Sequence, residues 1–300
     1  MSNILELRHV THLYGEGTPF ALTALDDVSV SFEKGVITGL IGHTGSGKST
    51  LVQLLNGLLR PKSGTVLLDG RDIWEKPKEI QKIRYRVGLV MQYPEHQLFD
   101  ETVRADIGYA LRNMGLSAEE IAERVKEAAA FVHLDESLLD QSPFALSGGQ
   151  KRRAALAGII AMRPEVLVLD EPAAGLDPIG RSEILGSLRT YQEACNATVI
   201  LVSHSMEDMA QYCDRIVALS HAKVFMTGTV EEVFSHSAEL AEVGLDIPCV
   251  ARMALALKKR GVPLRGTNLY TIDGVKEAFL RAIAEKRVAS DEGKEDGSHA

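Results

Sequence analysis

The sequence has few cysteines, no excess of positive charge and no long apolar run, and each shortage excludes a class of protein. Cys195, Cys213 and Cys249 are odd in number and far apart, so they form neither a disulfide framework nor a zinc-binding pattern. This usage is typical of a reducing cytosol. A formal net charge of −8 argues against a broad basic surface, so no nucleic-acid partner is expected.

Insertion into a membrane is not expected either. No apolar run approaches the ~18–20 residues that a helix needs to cross a bilayer. The stretch from Met1 to Arg8 carries charge where a signal peptide needs its apolar segment. If such a protein works at a membrane, another chain must hold it there. The remaining composition, 45% hydrophobic and 25% charged, is ordinary for a globular chain with a large core.

A phosphate-binding loop pattern of Gly, four residues and Gly-Lys-Ser/Thr occurs in the run Gly42-His43-Thr44-Gly45-Ser46-Gly47-Lys48-Ser49-Thr50. Glycines let backbone N–H groups approach phosphate oxygens where a Cβ would clash. Lys48 supplies charge for the β- and γ-phosphates, and the Ser49 hydroxyl can ligate Mg²⁺. An apolar run before the loop and an amphipathic run after it predict a strand feeding a helix N-terminus. The chain is therefore predicted to bind a nucleotide.

Two acids follow a second apolar strand pattern, Val166 to Leu169. Asp170 can hold Mg²⁺, as the strand-borne Asp of phosphate-loop enzymes does. Glu171 is placed to orient or deprotonate an attacking water. A pair of acids at the end of a strand is often only solvated, but together with the phosphate-binding loop it predicts metal binding and hydrolysis.

Gln92 and His204 are also predicted at the ends of buried strands, because they follow the apolar runs Val87 to Met91 and Thr198 to Val202. The carboxyl ends of strands are where α/β sheets bind ligands. There His204 can donate a hydrogen bond to a γ-phosphate. A histidine satisfied within the structure is the alternative.

Between about residues 101 and 161 the composition shifts to Ala, Glu, Arg and Lys, which predicts a helical insertion. The insertion closes with Leu146 to Gln150, where Ser147 can cap a helix whose glycine-rich first turn is open to an anion. Asp177 precedes another helical run. Ser147 and Asp177 could each be an ordinary helix cap instead. Tyr14 follows the first strand pattern and could stack on adenine or be a core or turn residue.

Residues 236 to 285 form a separate-looking piece with two amphipathic helix candidates, Ala251 to Lys259 and Gly274 to Ile283. About fifty residues are few for an independent core, so this piece is expected to pack on the main domain or on a partner. The tail from Asp291 to Ala300 is charged and contains glycine, a composition typical of disorder.

In this order, the motifs resemble those of the ABC ATPase family over about residues 3 to 235. The resemblance implies an α/β fold: a P-loop NTPase (RecA-like) core with an antiparallel β subdomain, an α-helical insertion and a small C-terminal helical extension. The implied bounds are an ATPase domain over 1–235 with the insertion at about 94–162, a dimerisation extension over 236–287 and a disordered tail over 288–300. ATP and Mg²⁺ are the implied ligands.

The resemblance also implies a role for each motif. Gly42 to Thr50 is the Walker A loop, Ser147-Gly148-Gly149-Gln150 belongs to the ABC signature, and Tyr14 falls where the family stacks adenine. The implied Mg²⁺ ligands are Ser49, Gln92 and Asp170. The implied catalytic residues are the Walker B glutamate, the switch histidine, the Q-loop glutamine and the D-loop aspartate: Glu171, His204, Gln92 and Asp177.

Further segments are similar to the ATPases of energy-coupling factor (ECF) transporters, and within them to the second of two paralogues. These segments are Gly17 to Phe20, Gln92 to Phe99 and Glu242 to Pro248. Such ATPases pair with each other, bind a membrane-embedded coupling subunit (EcfT) and drive uptake of vitamins or metal ions captured by S-components. The resemblance implies an ATP hydrolase and translocase, peripheral at the cytoplasmic face of the cell membrane, that pairs with a paralogous ATPase or with itself.

Members of the ABC family sandwich ATP head to tail between two domains, and each signature contacts the γ-phosphate held by the other Walker A loop. The loop after Gln92 would pass this motion to the membrane subunit. Glu95, Asp100 and Glu101 in that loop could meet basic residues of the subunit or be merely solvated. The alternative functions are an ATPase of another ABC transporter class and a soluble ABC ATPase acting on nucleic acid or ribosomes.

Overall fold

The structure, a computed structural model, describes residues 2–295, with side chains up to residue 285. The chain forms two compact units, the first made of residues up to 204 and 212–227, the second of residues 205–211 and the chain from 228 onward. Within the described residues, no helix has both the length and the apolar character needed to span a bilayer.

Strands and helices are interspersed along the first unit, and between residues 230 and 295 the regular elements are helices. The strands are β1 (Asn3–Tyr14), β2 (Leu22–Glu33), β3 (Ile37–Gly42), β4 (Ser63–Leu68), β5 (Arg71–Asp72), β6 (Val87–Val90), β7 (Val166–Asp170), β8 (Thr198–Val202), β9 (Arg215–Ser220) and β10 (Lys223–Thr229). The helices are α1 (Lys48–Leu55), α2 (Ile80–Arg86), α3 (Val103–Asn113), α4 (Ala118–Phe131), α5 (Gly148–Ile160), α6 (Pro178–Cys195), α7 (Met206–Tyr212), α8 (Val230–Ser235), α9 (Ser237–Glu242), α10 (Cys249–Lys259) and α11 (Ile272–Glu295).

The strands that precede the sequence motifs belong to a six-stranded sheet in the order β10-β9-β3-β8-β7-β6. The pairs β3–β9, β3–β8, β8–β7 and β7–β6 are parallel. Val202 of β8 pairs with Leu40 of β3 on one side and with Asp170 of β7 on the other. Val90 of β6 pairs with Leu169 of β7. Because parallel strands end at one edge, the segments after β3, β6, β7 and β8 come together there.

A four-stranded antiparallel sheet in the order β2-β1-β4-β5 packs against this layer. Apolar side chains of both sheets and of α1 form one core that includes Leu5, Phe32, Leu51, Leu54 and Val168. A strand buried on both faces reads as a continuous apolar run, which is why β3, β7 and β8 are visible in the sequence. The predicted α/β core with an antiparallel subdomain is confirmed.

The helical insertion consists of α3, α4 and α5, with a short 3₁₀ turn at Pro94–Gln97 before them. Ser117 starts α4 with a capping box, in which its side chain accepts from the Glu120 N–H and Glu120 accepts from the Ser117 N–H. The sequence did not indicate α2, α7, α9 or β5. Each is short, so its periodic pattern is too brief to recognise.

In the second unit, α10, α11 and the segment between them form a small apolar cluster of Ala254, Leu264, Val275 and Ala278. The unit comprises residues 205–211, which include most of α7, and the chain from residue 228 onward, whereas the extension was expected to start at residue 236. Helix α11 continues to Glu295, into the segment 288–300 for which disorder was expected. Ala, Glu and Lys in that stretch have good helix propensity, and residues 296–300 lie outside the described part of the chain.

Gly88 lies in β6 where helix α5 approaches the sheet. A Cβ added to Gly88 would lie 2.7 Å from Ile159 Cγ2 and 3.2 Å from Pro164 Cγ. Neither neighbour is the free end of a flexible side chain. The absence of a side chain at residue 88 therefore lets α5 pack closely on the strand that leads to Gln92.

We expect Gly88→Ala to lower the free energy of unfolding by about 1–3 kcal/mol, the usual cost of overpacking a core. The matched control is Gly186→Ala in α6, where an added Cβ would meet nothing within 4 Å. Alanine is favoured over glycine by about 1 kcal/mol inside a helix, so this control should be neutral or stabilising. Urea denaturation measures both variants. Equal stability of Gly88→Ala and the parent would contradict the close packing.

Candidate functional site

The carboxyl ends of the parallel strands border a cavity of about 420 Å³ in the first unit. It brings together residues from the phosphate-binding loop, the start of β2 and the ends of β6, β7 and β8. The lining residues are Tyr14, Leu22, Thr23, Ala24, Thr44, Gly45, Gly47, Lys48, Ser49, Thr50, Gln92, Asp170, Glu171 and His204. Strand-end residues predicted separately from the sequence therefore share one site.

The phosphate-binding loop is shaped by close backbone contacts. A Cβ on Gly42 would lie 2.6 Å from the Leu219 carbonyl oxygen, and one on Gly47 would lie 2.4 Å from that of Ala24. Gly47 also has a φ of 105°, a conformation that favours glycine. Helix α1 begins directly after it, so the helix N-terminus faces the cavity wall formed by the loop.

Lys48 is buried within the loop. Its Nζ donates to the carbonyl oxygens of Gly42 at 2.7 Å and His43 at 3.0 Å. Burial lowers the pKa of the ammonium, and the nearby charges of Asp170 and Glu171 only partly oppose that shift. Lys48 is thus a desolvated cation without a strong anionic ligand, which is what a phosphate-binding lysine provides.

The remaining loop residues lie outside the cavity lining. His43 bonds through Nδ1 to the Thr44 carbonyl oxygen at 2.9 Å, and its Nε2 accepts from the His221 N–H at 3.4 Å. Ser46 is fully buried, and its hydroxyl has no hydrogen-bond partner among the described residues. Their side chains hold or fill the loop, so any contact with phosphate would come from backbone N–H groups.

Asp170 and Ser49 form an oxygen-rich pair at the end of β7. Burial raises the pKa of the Asp170 carboxyl, the hydrogen bond from Ser49 lowers it, and the neighbouring Glu171 charge raises it, with a net rise. Hydroxyl, carboxylate and amide oxygens suit Mg²⁺, so Ser49, Asp170 and Gln92 fit that ion chemically. In the described residues no group of three or more His, Cys, Asp or Glu could hold a metal by itself. Remaining ligands would have to come from phosphate or water.

Glu171 is fixed beside the cavity by two side chains. His204 Nε2 lies 2.7 Å from one carboxylate oxygen, and Gln92 Nε2 lies 3.4 Å from the other. The Glu171 backbone has a φ of 51°, which is uncommon for a residue with a side chain. Such conformations cluster at functional sites, and this backbone strain was not visible in the sequence.

Tyr14 stands at the mouth of the cavity with 40% of its surface exposed, which excludes a core position. Its hydroxyl lies 3.2 Å from Thr50 Oγ1, and its ring packs edge-on against His12. Leu22 is paired with Tyr14 across the β1–β2 hairpin and also lines the cavity. Sequence reasoning missed Leu22, although the turn after Tyr14 could have indicated that the two residues lie opposite each other.

The signature segment and Asp177 are not part of this cavity lining in the described chain. The Ser147 hydroxyl accepts from the Gln150 N–H at 3.4 Å, and Gln150 Oε1 accepts from the Ser147 N–H at 2.9 Å. Cβ atoms added to Gly148 and Gly149 would meet nothing within 4 Å, so these glycines face open space. Asp177 caps α6 by accepting from the Gly180 N–H at 3.2 Å. Ser147 and Asp177 are therefore both helix caps in the single chain.

The acidic loop after Gln92 differs from the expectation of free carboxylates. Glu95 forms an ion pair with Arg152, and Asp100 forms one with Arg112 at 2.9 Å. These acids are neutralised within the chain because basic helices of the insertion pack beside the loop. Among the described residues, Glu101 alone of the three acids has no ion-pair partner.

Comparison with known proteins matches residues 25–174 to the model of the ABC transporter family. The energy-coupling factor transporter ATP-binding protein EcfA2 of Caldanaerobacter subterraneus subsp. tengcongensis is 48% identical over 279 residues, which cover 93% of this chain and 97% of that protein. EcfA2 of Symbiobacterium thermophilum is 52% identical over 280 residues, 93% of this chain and 96% of that protein.

Comparison with solved structures also finds ATP-binding proteins of ABC transporters. CbiO1 from Clostridium perfringens, described as part of the ABC transporter complex CbiONQ, has a TM-score of 0.72 and 36% identity, covering 86% of this chain and 100% of that one. The ATP-binding cassette MJ0796, solved as a dimer bound to ADP and Pi, has a TM-score of 0.69 and 27% identity, covering 76% and 99%. With a phosphate-binding loop, paired strand-end acids and a fold shared with these cassettes, the chain belongs to the ABC transporter ATPases and, among them, to the energy-coupling factor ATP-binding proteins, which hydrolyse ATP to power transport.

Proposed function

We propose that the cavity above the phosphate-binding loop is the ATP site of this ATPase and that Glu171 activates the attacking water. The observation that carries the proposal is the placement of Glu171 between His204 and Gln92, on the wall of the cavity that Lys48 also lines. A carboxylate fixed in this way can accept or direct a proton of water. His204 holds Glu171 in position and can donate toward a phosphate oxygen.

Nucleotide binding would use the rest of the lining. The triphosphate replaces the carbonyl oxygens of Gly42 and His43 as partner of the Lys48 ammonium, because a charged acceptor forms the stronger hydrogen bond. Tyr14 and Leu22 present an aromatic and an aliphatic surface at the cavity mouth, suited to an adenine ring. Adenine stacking on Tyr14 is thus part of the proposal.

Mg²⁺ is the proposed metal, held by Ser49, Asp170 and Gln92. When bound, it would neutralise charge on the β- and γ-phosphates. The Ser49 hydroxyl already bonds to Asp170, so these two donors are close enough to serve one ion. Gln92 Nε2 bonds to Glu171 while its amide oxygen remains available as a ligand.

We propose that the working unit contains two ATPase domains head to tail. The open space around Gly148 and Gly149 supports this, since glycine there is not required by packing inside the chain. Helix N-termini attract anions, and a partner's γ-phosphate would meet the first turn of α5. Asp177 lies at a helix N-terminus as well and would approach the same interface. The proposed partner is a paralogous ATPase, with a homodimer as the other arrangement.

The proposed membrane partner is the coupling subunit EcfT of an ECF-type importer, with S-components reached only through it. The loop after Gln92 exposes Tyr93 and Phe99, at 47% and 59%, next to Glu101, which has no ion-pair partner in the described part of the chain. Exposed aromatic residues are common at interfaces. The protein would therefore act peripherally at the cytoplasmic face of the membrane, powering uptake of vitamins or metal ions that the ATPase itself does not touch.

Lys48→Ala is expected to weaken ATP binding by about 10- to 100-fold, because a charge-assisted hydrogen bond contributes roughly 1.5–3 kcal/mol. Titration of the purified chain with a fluorescent ATP analogue measures the affinity. Lys82→Ala is the matched control, since Lys82 lies on the surface and forms an exposed ion pair with Glu79. Unchanged affinity of Lys48→Ala would contradict the role of the loop.

Glu171→Gln is expected to keep ATP affinity and to lower kcat by about 10²–10⁴-fold, the usual contribution of general-base catalysis. Because ATP would no longer be consumed, the ATP-bound dimer should accumulate on size-exclusion chromatography. Steady-state ATPase assays give the rate. Hydrolysis at the parental rate would show that the base is another residue.

Affinity purification from solubilised membranes through a tag on this chain is expected to recover a paralogous ATPase and an integral membrane protein, identified by mass. Phe99→Asp should reduce recovery of the membrane protein at least about tenfold, as the loss of an interface anchor does. Phe225→Asp, in β10 and 37% exposed, is the control and should leave recovery unchanged. Recovery of ribosomes or nucleic acid instead would favour a soluble ABC ATPase.

A further inference from the structure

Arg152 is a buried charge that the proposed chemistry does not use. It lies in α5, just after the signature residue Gln150, and its side chain is 6% exposed. Its Nε donates to Glu95 Oε2 at 3.1 Å and its Nη2 donates to Glu95 Oε1 at 2.8 Å. The remaining nitrogen, Nη1, donates to the carbonyl oxygen of Ala174. One guanidinium thus holds a carboxylate and a backbone carbonyl at the same time.

These contacts join three segments that are far apart in the sequence. Glu95 belongs to the loop that begins at Gln92, and Ala174 lies between Glu171 and Asp177. Arg152 itself belongs to the helix that begins with the signature glycines. The guanidinium therefore connects the loop that touches Glu171, the segment that carries Glu171 to Asp177, and the helix whose N-terminus faces open space.

We propose that Arg152 and Glu95 are positioning residues that fix the signature helix to the Gln92 loop. Through this pair, the position of the Gln92 loop beside one ATP determines the orientation of the signature helix toward the ATP of the neighbouring site. The inference rests on the proposed head-to-tail pairing. Neither residue touches the cavity in the single chain, so each acts through Gln92, Glu171 or the first turn of α5.

The geometry of the pair supports a positioning role. Two parallel hydrogen bonds fix the angle between guanidinium and carboxylate, which a single contact leaves free. Removal of one partner from a buried ion pair leaves an uncompensated charge, so the arrangement resists change. Burial raises the pKa of the Glu95 carboxyl, but hydrogen bonds from Arg152 and the Glu95 backbone and the Arg152 charge outweigh it and lower the pKa overall. The Glu95 carboxyl is thus ionised at neutral pH.

The same helix provides an internal comparison. Arg153, the next residue, pairs with Glu183 at 2.5 Å, but the two side chains are 23% and 43% exposed. Arg153 also donates to the His133 carbonyl oxygen, so it ties α5 to other helical segments and not to the Gln92 loop. An exposed pair contributes little to stability. Glu183→Gln is therefore a matched control for Glu95→Gln.

The test uses the complex purified from solubilised membranes through a tag on this chain, as the parent and as Glu95→Gln, Arg152→Lys and Glu183→Gln. Two sets of quantities are measured for each variant. The first is the ATP affinity and binding stoichiometry of the isolated chain, and the second is the kcat and KM for ATP of the complex, normalised to its content of partners. The binding stoichiometry gives the fraction of chains that are folded. Because kcat is expressed per folded chain, a loss of folded protein is not counted as a loss of kcat.

We expect Glu95→Gln to keep ATP affinity within about twofold and to lower kcat at least about tenfold. Arg152→Lys should lower kcat as well, because one ammonium cannot replace the guanidinium fork. Glu183→Gln should leave ATP affinity and kcat unchanged. The inference is overturned if Glu95→Gln and Arg152→Lys turn over like the parent, or if their ATP affinity falls in the same proportion as kcat. An inactive parent complex would instead refute the proposed function.

Discussion

The site depends on two positions where backbone approaches backbone too closely for any side chain. Gly42 lies against the Leu219 carbonyl of β9, and Gly47 lies against the Ala24 carbonyl of β2. The phosphate-binding loop is thereby pressed between the parallel sheet and the antiparallel sheet. That placement sets where α1 begins and where the Lys48 ammonium lies. The nearby ends of β6, β7 and β8 then supply the polar groups that complete the cavity.

Much of this arrangement could be predicted because the decisive signals are local. Strands buried on both faces form continuous apolar runs, and the residues that follow them mark the edge of the sheet. Gln92, Glu171 and His204 were each placed at a strand end, and parallel pairing brings them together. The pairing of Glu95 with Arg152 could not be predicted. It joins positions far apart in sequence, and an arginine in a helix gives no indication of the carboxylate it will meet.

The sequence allows two interpretations of two motifs, and the capping seen in the structure leaves both open. The sequence left open whether Ser147 and Asp177 are ordinary helix caps or part of a nucleotide site, and both are caps in the single chain. A cap satisfies one N–H of the first turn and leaves the helix dipole and the remaining N–H groups available. Capping of α5 by Ser147 therefore fixes the helix start and leaves Gly148 and Gly149 open to an approaching anion.

The electrostatics of the cavity favour a charged ligand. Burial lowers the pKa of Lys48 and raises the pKa of Asp170, so both charged forms are disfavoured by their surroundings. Their mutual attraction offsets only part of that penalty. A magnesium triphosphate would bring negative charge to Lys48 and positive charge to Asp170 and so relieve both penalties together. Ligand binding to the folded state alone also stabilises it, so nucleotide would stabilise the first unit against unfolding.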